Sequence, residues 1–356
     1  MRKDTDINPV MITVARESRG WTQTNLAHAI GVSQPKICLY ELGTIKVSDE
    51  DAQSMAQALD YSSRLFTQSN RIYDPISSIF FYRRRVRVPI REQRRICAEV
   101  NIRKMQLSQL LKSGAVETEH TFPRVPPEEF DGNVELVARH LRDAWRIPKG
   151  RPIDDLTQVV ESAGGIVVHM DFRTNLVDGT HLLVSGLPPM FFMNPTVPGE
   201  RYRFSLAHEI GHAIMHPSVS RDDEDDADRF ASELLMPRAT IRPDLRGINL
   251  QSAERLKRVW KVSIAALIMR AKRLNQISES KYRRLFTQLS ATGKRMQEPW
   301  PVELERPTVL DDLVSFHRRA LNLPEHDMRE ILFTNRFGPL DRPQGKKPKF
   351  RVVSDQ

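Results

Sequence analysis

The sequence predicts a multidomain fold: an all-α N-terminal domain, followed by an α+β domain that ends in a helical subdomain. Three observations carry this. Residues 8–68 divide into short segments of helical period separated by glycine-bearing turns. Between Ile166 and Asn194, short β-branched or aromatic runs sit among helical segments, as in a small twisted sheet packed on helices. After them, Phe204–His216 and Glu224–Pro237 each carry apolar residues at three- and four-residue spacing, the period of two buried helices.

The first domain, residues 1–68, is read element by element. Val10 to Arg19 form a helix broken at Gly20. Thr22 caps the next, which runs to Ile30 with Leu26, Ala27 and Ile30 facing inward. Gly31-Val32-Ser33 makes a tight turn, glycine supplying the open backbone and Ser33 the cap of Gln34–Leu42, which Gly43 ends. Asp49 to Leu59 give one more helix. Ala27, Ile30, Val32 and Ile37 are core whatever the function.

The string Trp21-Thr22-Gln23-x-x-Leu26-Ala27-x-x-Ile30-Gly31-Val32-Ser33-Gln34-x-x-Ile37-x-x-Tyr40-Glu41-x-Gly43 resembles the phage-repressor (XRE) helix-turn-helix family over about sixty residues. The resemblance implies DNA as partner, with the helix after Thr22 meeting the backbone and the recognition helix entering the major groove. Gln34 and Lys36 then reach bases or phosphates, and Gln23 a phosphate. Charge runs the other way. Residues 1–60 hold 6 Lys/Arg against 8 Asp/Glu, a net of −2, whereas residues 61–125 hold 13 against 5, a net of +8. Protein contact with a related repressor is therefore the competing use of this domain.

Residues 69–125 read as a basic, partly helical connector. Gln93 to Leu111 carry a helical period through Ile96, Val100, Met105, Leu107, Leu110 and Leu111. The runs Tyr82–Arg87 and Arg91–Arg95 form a basic stripe suited either to phosphate or to docking. Phe122-Pro123-Arg124-Val125-Pro126-Pro127 marks the boundary.

The core, residues 126–240, opens with helices at Val134–Trp145 and Ile153–Ser162. Strands are expected at Ile166–Val168, Thr180–Val184 and Met190–Asn194, the last taken as a sheet edge able to bind extended peptide. In the helical subdomain, residues 241–290, Gln251–Trp260 and Ser263–Leu274 flank Lys261-Val262-Ser263, a second helix-turn-helix-like pattern read as core. Residues 291–356 form a C-terminal extension, helical over Leu310–Leu332, with Pro343–Gln356 expected to be disordered.

The chemistry concentrates in His208-Glu209-Ile210-Gly211-His212. Imidazoles at i and i+4 share one helix face and can bind one metal ion, and the intervening glutamate can take a proton from metal-bound water. Zinc needs a third protein ligand. Ser218 and Met215 exclude the arrangement with a third histidine six residues on and glycine at 215. An acidic ligand from the following helix remains: Glu224, on the side of Ala227 and Ala231, with Asp226 or Asp228 as alternatives. Asp228 is otherwise placed to hold the outer nitrogen of a ligand histidine.

Arg203-Phe204-Ser205-Leu206-Ala207-His208-Glu209-Ile210-Gly211-His212 together with Glu224-x-x-Ala227-x-x-Phe230-Ala231-x-x-Leu234-Leu235-Met236-Pro237 resembles the ImmA/IrrE family of metallopeptidases, over roughly residues 125–290. The resemblance implies a zincin-like core, His208, His212 and Glu224 as ligands of Zn2+, and Glu209 as catalytic base. It also implies a helix-turn-helix repressor as substrate, cleaved to switch on phage, mobile-element or stress genes. His216 matches a family histidine that is not usually a ligand.

The expected protein is a DNA-binding regulator with zinc endopeptidase activity. The rival is a non-proteolytic regulator, or antitoxin-like partner, whose metallopeptidase-like domain senses a metal, ligand or partner. Composition fits either. With 40% hydrophobic and 28% charged residues, no membrane-length apolar run, no signal-peptide core and only Cys38 and Cys97, a cytoplasmic protein without membrane contact is expected. Oligomeric state is not legible.

Overall fold

The computed structural model describes residues 7–69, 71–73, 88–112, 115–116, 121–216, 223–295, 297–334 and 352–353. The basic run Tyr82–Arg87, the helix stop at Pro217, Ser218 and the C-terminal Pro343–Gln356, apart from Val352–Val353, lie outside them. The chain forms two compact units, one of residues 1–76, 85–117 and 308–356, the other of residues 77–84 and 118–307.

The helices in chain order are α1 (Pro9–Ser18), α2 (Gln23–Ile30), α3 (Gln34–Glu41), α4 (Asp49–Leu59), α5 (Ile90–Leu111), α6 (Val134–Ala144) and α7 (Leu156–Ser162). They continue with α8 (Gly199–Met215), α9 (Asp223–Leu235), α10 (Arg238–Ile241), α11 (Leu250–Trp260), α12 (Ile264–Arg273), α13 (Glu279–Ala291), α14 (Val309–Arg319) and α15 (Glu325–Ile331). The strands are β1 (Ala115–Val116), β2 (Ile166–His169), β3 (Gly179–Leu182), β4 (Met190–Met193) and β5 (Val352–Val353).

In the first unit, local chemistry sets the helix ends. The Asn8 side chain accepts the Val10 N–H at α1, and Thr22 and Asn25 form a reciprocal capping box at α2. Gly31 closes α2 at φ 71°, a left-handed conformation that favours glycine. Ser33 occupies the N-cap of α3, but its hydroxyl makes no cap bond, contrary to expectation. The Lys36 and Ile37 N–H groups instead go to its backbone carbonyl (3.1 and 3.4 Å), and Pro35 has no N–H to offer.

Met11, Ile12, Leu26, Ala27, Ile37, Tyr40, Met55 and Phe66 are buried together, while Ile30 and Val32 are only half-buried at the rim of this core. Helix α5 packs on α1 and adds Ala98, Ile102 and Met105. The C-terminal segment returns to the same core, where Phe333 is fully buried. Phe333 carbonyl accepts the Ser62 N–H (3.2 Å), the Ser62 hydroxyl donates to the Glu330 carboxylate (2.8 Å), and Gln106 donates to the Leu332 carbonyl (2.6 Å). Leu310–Leu332 is two helices, not one, broken where Asn322 takes φ 49° and Pro324 removes an N–H. Strand β1 pairs antiparallel with β5.

The second unit holds a three-stranded sheet of order β2-β4-β3, β4 parallel to β2 and antiparallel to β3. Met190–Met193 is thus the central strand, which overturns its reading as a peptide-binding edge. The run Met-Phe-Phe-Met, wholly buried, is what a strand covered on both faces requires. Strand β3 is an edge among the described residues, and it packs against α8. Helix α7 starts at Leu156, three residues later than expected, because Asp155 caps it by accepting the Gln158 N–H (2.9 Å).

Helix α8 lies against the sheet and α9, and α9 also packs on α6. Residues 298–305, assigned from sequence to the C-terminal extension, are built into this unit. Glu298 accepts the Ile264 N–H at the start of α12 and pairs with buried Lys257 (2.8 Å), which also pairs with Glu200. Gly199 lets this segment approach: a Cβ there would stand 2.3 Å from the Val302 carbonyl oxygen.

Candidate metal centre and DNA-contact residues

Helix α8 is fixed near its start by Arg203, which pairs with Glu305 and donates to the Ile153 carbonyl (2.6 Å). Farther along, His208 and His212 face the same way, their Nε2 atoms 3.0 Å apart. Helix α9 meets α8 at Gly211, where a Cβ would stand 2.9 Å from the Phe230 ring and 3.4 Å from the Ala227 Cα. That close approach, with Ala227, Phe230 and Ala231 fully buried, brings Glu224 to the histidines. Its Oε1 lies 3.1 Å from His212 Nε2 and its Oε2 3.5 Å from His208 Nε2.

One ligand atom from each of His208, His212 and Glu224 lies within 4.8 Å of the others, and all three residues are buried. Two imidazole nitrogens and a carboxylate oxygen converging from buried residues suit a borderline divalent cation such as Zn2+. The orphan Glu224 Oε1, buried and without a hydrogen bond, fits the same occupant. Asp226 instead pairs with Arg229 (3.3 Å) and stays outside the cluster. Asp228 stands behind His208, its Oδ1 3.0 Å from Nδ1, which leaves Nε2 for the shared site.

Burial opposes charge on His208, but hydrogen bonds to Asp228 and Glu224 outweigh it and lift its imidazolium to about 10. Burial likewise opposes ionisation of Glu224, yet His208 and His212 lower it to about 2. Burial depresses His212. A metal cation therefore competes with a proton at His208.

Glu209, also buried, directs Oε2 at His181 Nδ1 (2.7 Å), while Oε1 is buried without a hydrogen bond. Burial raises the Glu209 carboxyl, but the bond to His181 together with the charges of His181, His208 and His212 leaves it lowered. Sequence reasoning missed His181. It stands on β3, its ring stacked over His212 with centroids 6.1 Å apart. The available signal was alternation: Thr180 and Leu182 are buried on one face, so His181 belongs to the other. Nothing in the sequence said that this other face meets α8. His216 lies outside the ligand cluster, with Nδ1 3.5 Å from Asp223 and its ring 5.6 Å from His212.

In the first unit Gln23 and Gln34 each open a helix, and Gln34 donates to Gln23 Oε1 (2.7 Å) while Gln23 donates to Glu41 (2.8 Å). This joins the starts of α2 and α3 and leaves Gln34 exposed. Lys36 is tied to Asp51 (2.8 Å), which also accepts the Tyr40 hydroxyl (2.5 Å). Of the basic stripe, Arg95 is buried between Glu92 and Glu99 (2.9 and 3.1 Å), a bracing role rather than a phosphate contact.

Residues 14–66 match the family model of helix-turn-helix domains, and residues 161–272 match that of the IrrE N-terminal-like domain, a peptidase family. Over these residues the chain is similar first to helix-turn-helix domains and then to an ImmA/IrrE-like, metallopeptidase-type domain, in that order. The second match spans β2 to α12 and contains the whole His–His–Glu cluster. No curated protein matches the chain. Among the described residues no helix is long and apolar enough to cross a membrane.

Proposed function

We propose that the protein is a cytoplasmic DNA-binding regulator that cleaves a repressor-type protein as a zinc endopeptidase. The observation that carries this is the pairing of a three-ligand cluster with an adjacent, ionised glutamate that is not part of it. A site built only to sense a metal has no need of Glu209.

His208, His212 and Glu224 would hold the cation, with Asp228 fixing the tautomer and ring of His208. Bound zinc supplies a water of pKa about 7 and a Lewis acid for the scissile carbonyl. Glu209, whose Oε1 is buried without a hydrogen bond, would serve as the proton carrier there, taking a proton and later giving it to a leaving amine. His181 donates to Oε2, so one carboxylate oxygen is held and the other is left without a hydrogen bond. Strand β3, on which His181 sits, is the edge along which an extended substrate segment adds as a further strand. Gln23, Gln34 and Lys36 supply the DNA contacts, Lys36 after exchanging Asp51 for a phosphate.

The test is incubation of wild-type protein and Glu209→Gln with XRE-type repressors encoded beside its gene. Cleavage by the wild type alone is expected. Absence of cleavage by both, with promoter binding retained, sinks the peptidase reading and favours the non-proteolytic sensor. Metal analysis of His208→Ala is an independent check: undiminished zinc would defeat the ligand assignment.

A further inference from the structure

Among the described residues of the helix-turn-helix module, Arg16, Arg19 and Lys36 commit their charge to internal partners. Arg16 is buried against Glu41 (2.6 Å) and donates to the Trp21 carbonyl (2.7 Å). Arg19 donates to the Leu59 carbonyl (2.8 Å) and lies over the Tyr61 ring. Lys36 is held by Asp51. With 6 basic against 8 acidic residues over positions 1–60, this module alone offers little of the counterion release that drives binding to duplex DNA.

Exposed cations stand instead on α5, outside the matched helix-turn-helix domain. The first turns of this helix dock at the end of α1. Arg91 Nε donates to the Gly20 carbonyl (2.9 Å), and the Arg95 stem lies 3.4 Å from where a Gly20 Cβ would be. Arg94 reaches only to 3.9 Å from Glu17 and is 65% exposed. Gly20 is two residues before Thr22, the N-cap of α2, and Gln23 follows directly. Exposed Arg91 therefore stands at the turn that leads into the helix carrying Gln23, and exposed Arg94 beside the last turn of α1.

We propose that the DNA footprint of this protein extends from the helix-turn-helix onto the first turns of α5, where Arg91 and Arg94 neutralise backbone phosphates of the duplex. The contact reads charge, not sequence. Arg91 is suited to it because one edge of its guanidinium is already fixed on the Gly20 carbonyl, so less freedom is lost on binding. Buried Arg95 takes no part. The inference rests on the DNA-binding reading above.

The test follows fluorescence anisotropy of the full chain on a labelled random-sequence duplex of about 25 base pairs, over about 50–200 mM salt. Each phosphate contact contributes about 0.9 to the slope of log K against log salt, so Arg91→Ala/Arg94→Ala lowers it by about 1.8 and Arg94→Ala alone by about 0.9. Arg91→Lys/Arg94→Lys keeps the wild-type slope. Should the double alanine variant impair folding, Arg94→Ala decides, since Arg94 makes no close bond to lose. An unchanged slope in the alanine variants, with binding retained, overturns the α5 footprint and leaves DNA binding standing. Failure of the wild type to bind any duplex overturns the DNA reading itself, and this inference with it.

Discussion

Replacing Glu305 by alanine tests how the metal-bearing helix is held. The carboxylate accepts the N–H of Leu156 (3.0 Å) and of Thr157 (2.9 Å), the Thr157 hydroxyl (3.0 Å) and the Arg203 guanidinium. Arg203 is 1% exposed, so the variant strands a buried cation and leaves two N–H groups at the start of α7 without an acceptor. Breaking a buried ion pair from one side costs about 3–5 kcal/mol, and an orphaned buried N–H about 1–3 kcal/mol. The remaining donation of Arg203 to the Ile153 carbonyl, and water entering the vacated space, recover part. A net loss of about 4–6 kcal/mol is expected, a large share of a typical total of about 5–15 kcal/mol. Glu305→Gln, which keeps the shape and one acceptor, falls between. Urea titration of the full chain, followed by circular dichroism and by tryptophan fluorescence, reads the difference. A loss below about 1 kcal/mol would refute the account of Glu305 as the brace of α7 and α8.

Three further outcomes are expected. Zinc added to chelator-treated protein stabilises the second unit by about 2.7 kcal/mol at a hundredfold excess over its dissociation constant, and His208→Ala abolishes the response in a thermal melt. Gly211→Ala forces its new methyl into the Phe230 ring, costing about 1–3 kcal/mol and moving Glu224 off the histidines, so isothermal titration shows weakened zinc binding without any ligand changed. Burial, with Arg306 nearby, lowers His169 to about 4. The unfolded chain binds that proton near 6.5, so this group's stability is present above pH 6.5 and lost as pH falls toward 4, by about 3 kcal/mol. Chemical denaturation across that range shows the slope, and His169→Asn flattens it.

That His208, His212 and Glu224 come together was legible because the determinants are local. His208 and His212 need only helical spacing, and Glu224 only the phase of Ala227 and Ala231 on the next helix. The parts that escaped are set by tertiary pairing. Met190–Met193 reads as a strand, but whether it lies at an edge depends on the crossover that places β2 beside it, which no local period encodes. His181 becomes significant only when β3 lies against α8. Glu298 and Glu305, in a proline-rich stretch that looks like a tail, find their role through Ile264, Lys257 and Arg203, which are 34, 41 and 102 residues away.

The C-terminal return constrains how cleavage could act on DNA binding. The first unit is closed by residues 308–334, so the peptidase-type unit is an insertion within it rather than an appended domain. Met328, Leu332 and Phe333 are buried to 1% exposure or less. At about 1.5–3 kcal/mol for each such side chain, they contribute about 5–9 kcal/mol to that closure, before the bonds of Ser62 and Gln106 are counted. A single cut elsewhere, between residues 118 and 307, leaves this packing intact and the DNA-binding core whole. Self-cleavage there would leave the helix-turn-helix core folded, so derepression by a cut would need one in the first unit's own segments or, as proposed, in a separate repressor. Limited proteolysis of the full chain decides between them: a nick between residues 118 and 307 should leave duplex affinity within about twofold, whereas loss of binding after that nick would show that the insertion, not the returning helices, holds the first unit together.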